Sequence, residues 1–97
     1  MYYVDFYVGQ EVEQTVSHTE NDELLWTAAG LDLMDKTYRP TEQFASDVWY
    51  ARETLQAESE YLVNQFGQVA YGEVLKFMGE LLAATEGREY GTVEVRW

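Results

Sequence analysis

The sequence predicts an α+β domain in which a small antiparallel sheet, made from an N-terminal strand or hairpin plus a C-terminal strand, packs against three helices. Three observations predict this fold. Apolar residues alternate with period two at both ends of the chain, they recur every three to four residues in between, and glycines and one proline separate these patterns. Because 97 residues suit one domain, we assign residues 1–97 to a single acidic α+β domain.

The first segment has a strand pattern. Apolar side chains fall on even positions over residues 2–16, and polar or acidic ones predominate on odd positions. Gly9 interrupts the pattern, either as a bulge in one long strand or within a hairpin. A three-residue loop from Gly9 to Glu11 would pair Val4 with Val16, whereas a two-residue turn would place unlike residues on one face. The register therefore argues against the tight turn.

A first helix is predicted next. Residues 19–23 supply N-cap candidates and place negative charge in the first turn, where the helix dipole favours it. Leucine and alanine follow at helical spacing. The helix ends either at Gly30 or at Lys36, if the apolar face continues, and Pro40 marks the connector that follows.

The longest predicted helix runs from about 42 to 66. Thr41 is its predicted N-cap, an apolar stripe recurs along it, and Gly67 stands at the C′ position. A third helix follows, with Gly87 after its end. Gly72 and Gly79 share one face of that helix, which suggests close approach of another backbone.

The final segment, residues 92–97, alternates again. Val93, Val95 and Trp97 face one way, and polar residues face the other. A strand without a sequence neighbour must pair with one already formed, so we expect it beside the N-terminal strand.

The sequence offers few residues for catalytic or cofactor chemistry. There are no cysteines, and the only histidine, His18, lies in a polar stretch and is interpreted as a surface or capping residue. Residues 67–72 lack the pattern of a phosphate-binding loop. These counts exclude a His/Cys metal centre, and the acidic clusters lack EF-hand spacing. A calcium or magnesium site built from carboxylates is the alternative that so many acids leave open. We predict no enzyme activity, no cofactor and no metal.

The charge balance indicates the kind of partner. Eighteen acidic residues against six basic ones give a net charge of −12. This charge disfavours direct binding to nucleic acid and to anionic membranes, and favours a basic protein surface. The sequence has no apolar run long enough for a membrane span and no signal-peptide pattern at its start, so the expected compartment is the cytoplasm.

The odd-numbered face of the first strand is the candidate partner-binding site. Successive acids there would stand about 6.6 Å apart, which is comparable with neighbouring phosphates on one nucleic-acid strand. Glu94 and Arg96 of the last strand are expected beside them, and an ordinary solvated sheet face is the alternative. The candidate residues combine aromatic and acidic side chains: Tyr3, Asp5, Tyr7, Glu11 and Glu13.

Several aromatic residues lie off the apolar helix stripes. They pack around the rim of the core, or they form a contact surface for self-association or for a partner. These residues are Trp26, Trp49, Tyr50, Tyr61 and Phe77.

In size and composition the chain resembles phage-encoded acidic inhibitors, the anti-CRISPR and anti-restriction proteins among them. The resemblance includes no motif, so no functional residue is carried over. It implies a non-enzymatic nucleic-acid mimic that inhibits a basic nucleic-acid-binding protein, such as a nuclease or CRISPR effector, in the host cytoplasm. The alternative is a homo-oligomeric regulatory or adaptor protein, such as a homodimer, whose aromatic helix faces make the contacts and whose charge serves solubility.

Overall fold

The computed structural model describes all residues from 1 to 97 and has the α+β architecture that the sequence predicts. One antiparallel sheet of three strands, in the order β2-β1-β3, packs against helices. The elements in chain order are β1 (Tyr2–Val8), β2 (Glu11–His18), α1 (Glu23–Ala28), α2 (Thr41–Ala57), α3 (Ser59–Phe66), α4 (Gln68–Thr85) and β3 (Thr92–Arg96), with short 3-10 turns at Glu20–Asp22 and Leu33–Lys36.

β1 is the central strand because both other strands pair with it. Its even-numbered side chains face the helices, and Val4 and Phe6 are fully buried. The predicted pairing of the two terminal segments is confirmed: Val4 lies opposite Val95, and Phe6 lies opposite Val93. One face of this small sheet therefore contributes directly to a core of 22 buried apolar residues.

The β1–β2 hairpin differs from its predicted form. Its loop is the two-residue turn that the register argued against, with Val8 opposite Glu11 and Gly9 at φ +63°. The predicted Val4–Val16 pair is nevertheless present, because a bulge between the pairs formed by Phe6 and Tyr7 shifts the register by one residue. The prediction against the tight turn is wrong because it assumed one register for the whole strand.

The region after the hairpin is less helical than predicted. Thr19 caps the 3-10 turn by accepting from the Asn21 N–H at 3.3 Å. Helix α1 ends at Ala28, and Gly30 follows in a left-handed conformation at φ +92°. The apolar residues beyond it form the separate 3-10 turn at Leu33–Lys36.

The helix predicted over 42–66 is broken at Glu58 into α2 and α3. Glu58 leaves helical geometry at φ −110°, ψ +27°. The Tyr71 hydroxyl, from α4, donates to the carbonyl of Leu55 at 2.8 Å, and this bond competes for the carbonyl that residue 59 would use in an unbroken helix. The buried stripe continues across the break through Leu55 and Leu62.

Two further local predictions are wrong. Thr41 is the first residue of α2, not its N-cap, because the Pro40 carbonyl accepts the first helical bond, from the Phe44 N–H at 3.0 Å. Gly72 and Gly79 have open space around them, so no backbone approaches them closely. The close approach occurs at Gly91, where a Cβ would collide with the carbonyl oxygen of Tyr7. No helix of the protein has both the length and the apolar character needed to cross a bilayer.

Candidate partner-binding site

The structure splits the five predicted site residues between two locations. Tyr3, Asp5 and Tyr7 share the outer face of β1, away from the helices, because side chains alternate along the strand. Glu11 lies opposite Val8, which is on the helix-facing side of β1. Glu11 is therefore on the other face of the sheet from Tyr3, Asp5 and Tyr7. Glu13 lies at the bulge. Glu11 and Glu13 therefore do not extend the row formed by Tyr3, Asp5 and Tyr7 on the outer face.

Glu94 and Arg96 join the outer face, as expected. Arg96 stands opposite Tyr3, and Glu94 stands opposite Asp5 in the β1–β3 register. The Arg96 guanidinium carbon lies 4.5 Å from the centre of the Tyr3 ring, within the range of a cation–π contact. The outer face is thus assembled from residues at both ends of the sequence.

Asp5 is neutralised within this face. Its residue is only 4% exposed, and its carboxylate accepts from the Thr15 hydroxyl at 2.6 Å and from Arg96 Nε at 2.7 Å. Burial raises the pKa of Asp5, but the hydrogen bonds from Arg96 and Thr15 outweigh burial and hold the pKa below its usual value. Its negative charge therefore stabilises the sheet instead of facing a partner.

Tyr7 and Glu94 form a second bonded pair on the same face. The Tyr7 hydroxyl donates to a Glu94 carboxylate oxygen at 2.9 Å, and this bond raises the pKa of Tyr7. The hydrogen bond from Thr15 to Asp5 was not predicted from the sequence. The Val4–Val16 register was the available signal, because it places Thr15 directly opposite Asp5.

A groove opens where Tyr7 and Glu94 meet the hairpin turn. Its volume is about 310 Å³. Tyr38 lines it with a side chain that is 75% exposed and a backbone at φ +64°, in the left-handed region that tyrosine rarely adopts. The Tyr38 N–H donates to the Val93 carbonyl at 2.7 Å and so ties this conformation to β3. The lining residues are Tyr7, Gly9, Gln10, Tyr38, Thr92, Val93 and Glu94.

This groove has the chemistry to accept a positively charged side chain. Two phenol rings can contact the face or stem of an arginine or lysine, and the Glu94 carboxylate can accept its N–H groups. From the sequence, Tyr38 lies in a connector and is not distinguished as a site residue. No sequence pattern indicates the left-handed backbone, which depends on the bond to Val93.

Most of the basic side chains are already paired. Lys36, Arg39, Arg88 and Arg96 form ion pairs with Asp47, Asp35, Glu13 and Asp5, respectively. Fourteen of the 18 acids are left without a lysine or arginine partner. The negative charge that faces solvent therefore comes mainly from acids outside the outer sheet face.

The off-stripe aromatics divide into two groups. Trp26 and Phe77 are 1% exposed and belong to the core, whereas Trp49, Tyr50 and Tyr61 are 45%, 64% and 63% exposed. Trp49 and Tyr50 meet edge to face at 5.2 Å between ring centres. Beside the α2–α3 break, a shallow cavity of about 810 Å³ is lined by Ala57, Glu58, Ser59, Glu60, Tyr61 and Asn64.

His18 is more deeply placed than a surface or capping histidine. Its side chain is 14% exposed, and its ring stacks on Phe77 with 4.7 Å between centres and 16° between planes. Trp26 contacts it edge to face at 5.7 Å. Nε2 lies 2.6 Å from the Asp22 carboxylate. The interpretation of His18 as a surface residue is wrong because β2 ends over the core, against α4.

Searches of protein-family models, curated proteins and solved structures found no match to this chain.

Proposed function

We propose that this protein binds and inhibits a basic nucleic-acid-binding protein, as a mimic of the nucleic acid. The observation that carries the proposal is the unpaired negative charge along an elongated molecule. The Cα atoms extend 42 × 23 × 19 Å, so a net charge of −12 over the 42 Å axis corresponds to about one charge every 3.5 Å. One strand of DNA carries a charge about every 3.4 Å.

The groove at the hairpin end supports a specific contact within this broad field. A long-range negative potential accelerates encounter with a basic surface but does not determine orientation. Tyr7, Tyr38 and Glu94 provide a defined position for one arginine or lysine side chain of the partner. We propose that this groove anchors the complex and that the distributed acids supply the attraction.

Competition experiments test the proposal. The protein is titrated into complexes of fluorescently labelled duplex DNA with a panel of nucleases and CRISPR effectors, at NaCl concentrations from 0.1 to 0.5 M. We expect displacement of DNA from at least one panel member, with affinity falling about tenfold or more over this range because salt screens the attraction. Failure to displace DNA from any panel member, or displacement insensitive to salt, contradicts the proposal.

A matched pair of tyrosine variants tests the groove. Tyr38→Ser removes an exposed ring from the groove, and Tyr61→Ser removes a similarly exposed ring from α3. We expect the first change to weaken binding about tenfold and the second to leave it within twofold. If Tyr61→Ser weakened binding more than Tyr38→Ser, the contact with the partner would lie on the helical surface.

Exposed aromatics favour a second candidate function, a homodimer formed through α2 and α3. Trp49, Tyr50 and Tyr61 offer contact area, but Glu58 and Glu60 flank Tyr61, and two copies would bring like charges together. Light scattering distinguishes the candidates: a stable dimer that Trp49→Ala dissociates, together with no affinity for basic proteins, favours the homodimer.

A further inference from the structure

Three potential metal ligands come together at the end of β2. They are His18 on β2, Asp22 in the 3-10 turn and Glu73 on α4, and one ligand atom from each lies within 4.8 Å of the other two. Glu73 is 55 positions from His18 and 51 positions from Asp22 in the sequence. The tertiary fold, and not merely local acidic composition, creates the cluster.

The imidazole is held in place by the core. Stacking on Phe77 and the edge contact with Trp26 restrict the ring, and the His18 and Asp22 side chains are only 14% and 12% exposed. Glu73 is exposed. The cluster therefore combines two largely buried donors with one exposed carboxylate, so an ion can enter from solvent without disturbing the core.

No lysine or arginine pairs with the carboxylates of the cluster. None of the ion pairs formed by these residues includes Asp22 or Glu73, so Asp22 is paired only with His18 and Glu73 has no ion pair. The overall charge of −12 further raises the concentration of cations near the protein. A bound divalent cation would offset both carboxylates.

We propose that His18, Asp22 and Glu73 form a binding site for a single divalent transition-metal ion, with Zn²⁺ the best match. One imidazole and two carboxylates are ligands that Zn²⁺ accepts, and three protein donors leave a fourth position for water or an external ligand. Bond lengths of about 2.0–2.2 Å place tetrahedral donors roughly 3.3–3.6 Å apart. Binding requires the His18–Asp22 contact to open slightly and Glu73 to swing inward.

This site is independent of the proposed inhibitor function. One histidine and no cysteine exclude a His/Cys metal centre, and the many acids leave a carboxylate site open. That argument holds for centres built from His and Cys alone. A mixed centre needs only one histidine, and the pairing with Glu73 depends on how α4 packs against β2.

Isothermal titration calorimetry with ZnCl₂ tests the proposal. The buffer contains 0.15 M NaCl and millimolar MgCl₂ to suppress non-specific binding to surface acids. We expect one Zn²⁺ per chain. Glu73→Gln should weaken binding at least tenfold, whereas Glu80→Gln, which alters an exposed acid two turns along the same helix, should change it less than twofold.

NMR of the imidazole provides a second measurement. His18 is the only histidine, so its ring resonances are unambiguous. We expect Zn²⁺ to shift them in the parent and in Glu80→Gln at concentrations that leave Glu73→Gln unshifted. No binding, equal weakening by both glutamate changes, or ring resonances that Zn²⁺ does not shift overturns the proposal.

Discussion

On the outer face of the sheet, Asp5 and Glu94 are each held by hydrogen bonds from neighbouring side chains, whereas Glu53 and Glu60 on the helices have no bonded partner. Both regions are rich in acids and aromatic rings. They differ because cross-strand pairing brings complementary side chains together, while the helix surface only separates like charges. Hydrogen bonding therefore commits Asp5 to the fold and fixes Glu94 beside the groove, whereas Glu53 and Glu60 are exposed without a bonded partner.

The first prediction compares the effect of adding a Cβ atom at a glycine beside the sheet with the effect at a glycine in a helix. Gly91→Ala places a Cβ against the Tyr7 carbonyl, and we expect it to lower the free energy of unfolding by about 3 kcal/mol. Gly79→Ala fills open space within α4 and should raise the free energy of unfolding by about 0.5–1 kcal/mol. Urea denaturation of both variants measures the difference, and equal effects would contradict it.

The second prediction compares two acids. Asp5→Ala removes the acceptor of Thr15 and Arg96, and we expect it to lower the free energy of unfolding by about 2 kcal/mol. The cost falls below that of a fully buried ion pair because the Arg96 side chain is 54% exposed. Glu53→Ala should stay within about 0.5 kcal/mol of the parent protein. Thermal and urea unfolding provide the measurement. A large effect of Glu53→Ala would show that the helix acids also stabilise the fold.

The third prediction concerns pH. The pKa of Asp5 is lower in the folded protein than in the unfolded chain, where an aspartate titrates at about 3.9. Its stabilising contribution is therefore complete above that value and is lost as the pH falls through the folded-state pKa. Asp5→Asn lacks this contribution at every pH. The difference in unfolding free energy between parent and variant should shrink between pH 5 and pH 2 in urea titrations.

Glu53→Gln is the control for the pH experiment. This change removes one unpaired negative charge and so tests the repulsion among the acids of the protein. That repulsion weakens as carboxylates are protonated. We expect the free energy of unfolding of Glu53→Gln to differ little from that of the parent at pH 5, and by still less at pH 2. If the Asp5→Asn difference were constant across this range, the ion pair with Arg96 would not be the source of acid sensitivity.

The parts of the fold that were predictable from sequence are those encoded locally. Alternation around Val4 and Phe6 predicts a strand, and the glycine at position 67 predicts the end of a helix, which the structure confirms. The break at Glu58 was not predictable because it involves the Tyr71 hydroxyl of a different helix. The bulge was also not predicted. The tight turn and the Val4–Val16 pair have registers that differ by one residue, and the bulge accommodates that difference.

Less of the candidate site could be predicted. The alternating pattern correctly places Tyr3, Asp5 and Tyr7 on one face. It does not reveal that Asp5 is neutralised, because Arg96 lies 91 positions away. The groove residue Tyr38 has no distinctive pattern, and its backbone conformation depends on a bond to β3. Whether an acid is paired depends on side chains that are distant in the sequence, and composition alone does not identify those side chains.

The position of β1 between β2 and β3 has a consequence for folding during synthesis. β1 and β2 can form their hairpin early, but the other edge of β1 stays unpaired until β3 has been made, because Asp5 and Arg96 are 91 positions apart. An open strand edge is prone to pair with other chains, and contacts of such long sequence separation form slowly. During this interval the nascent chain is prone to aggregate, and packing of the helices together with repulsion between the acids of different chains must keep neighbouring molecules apart.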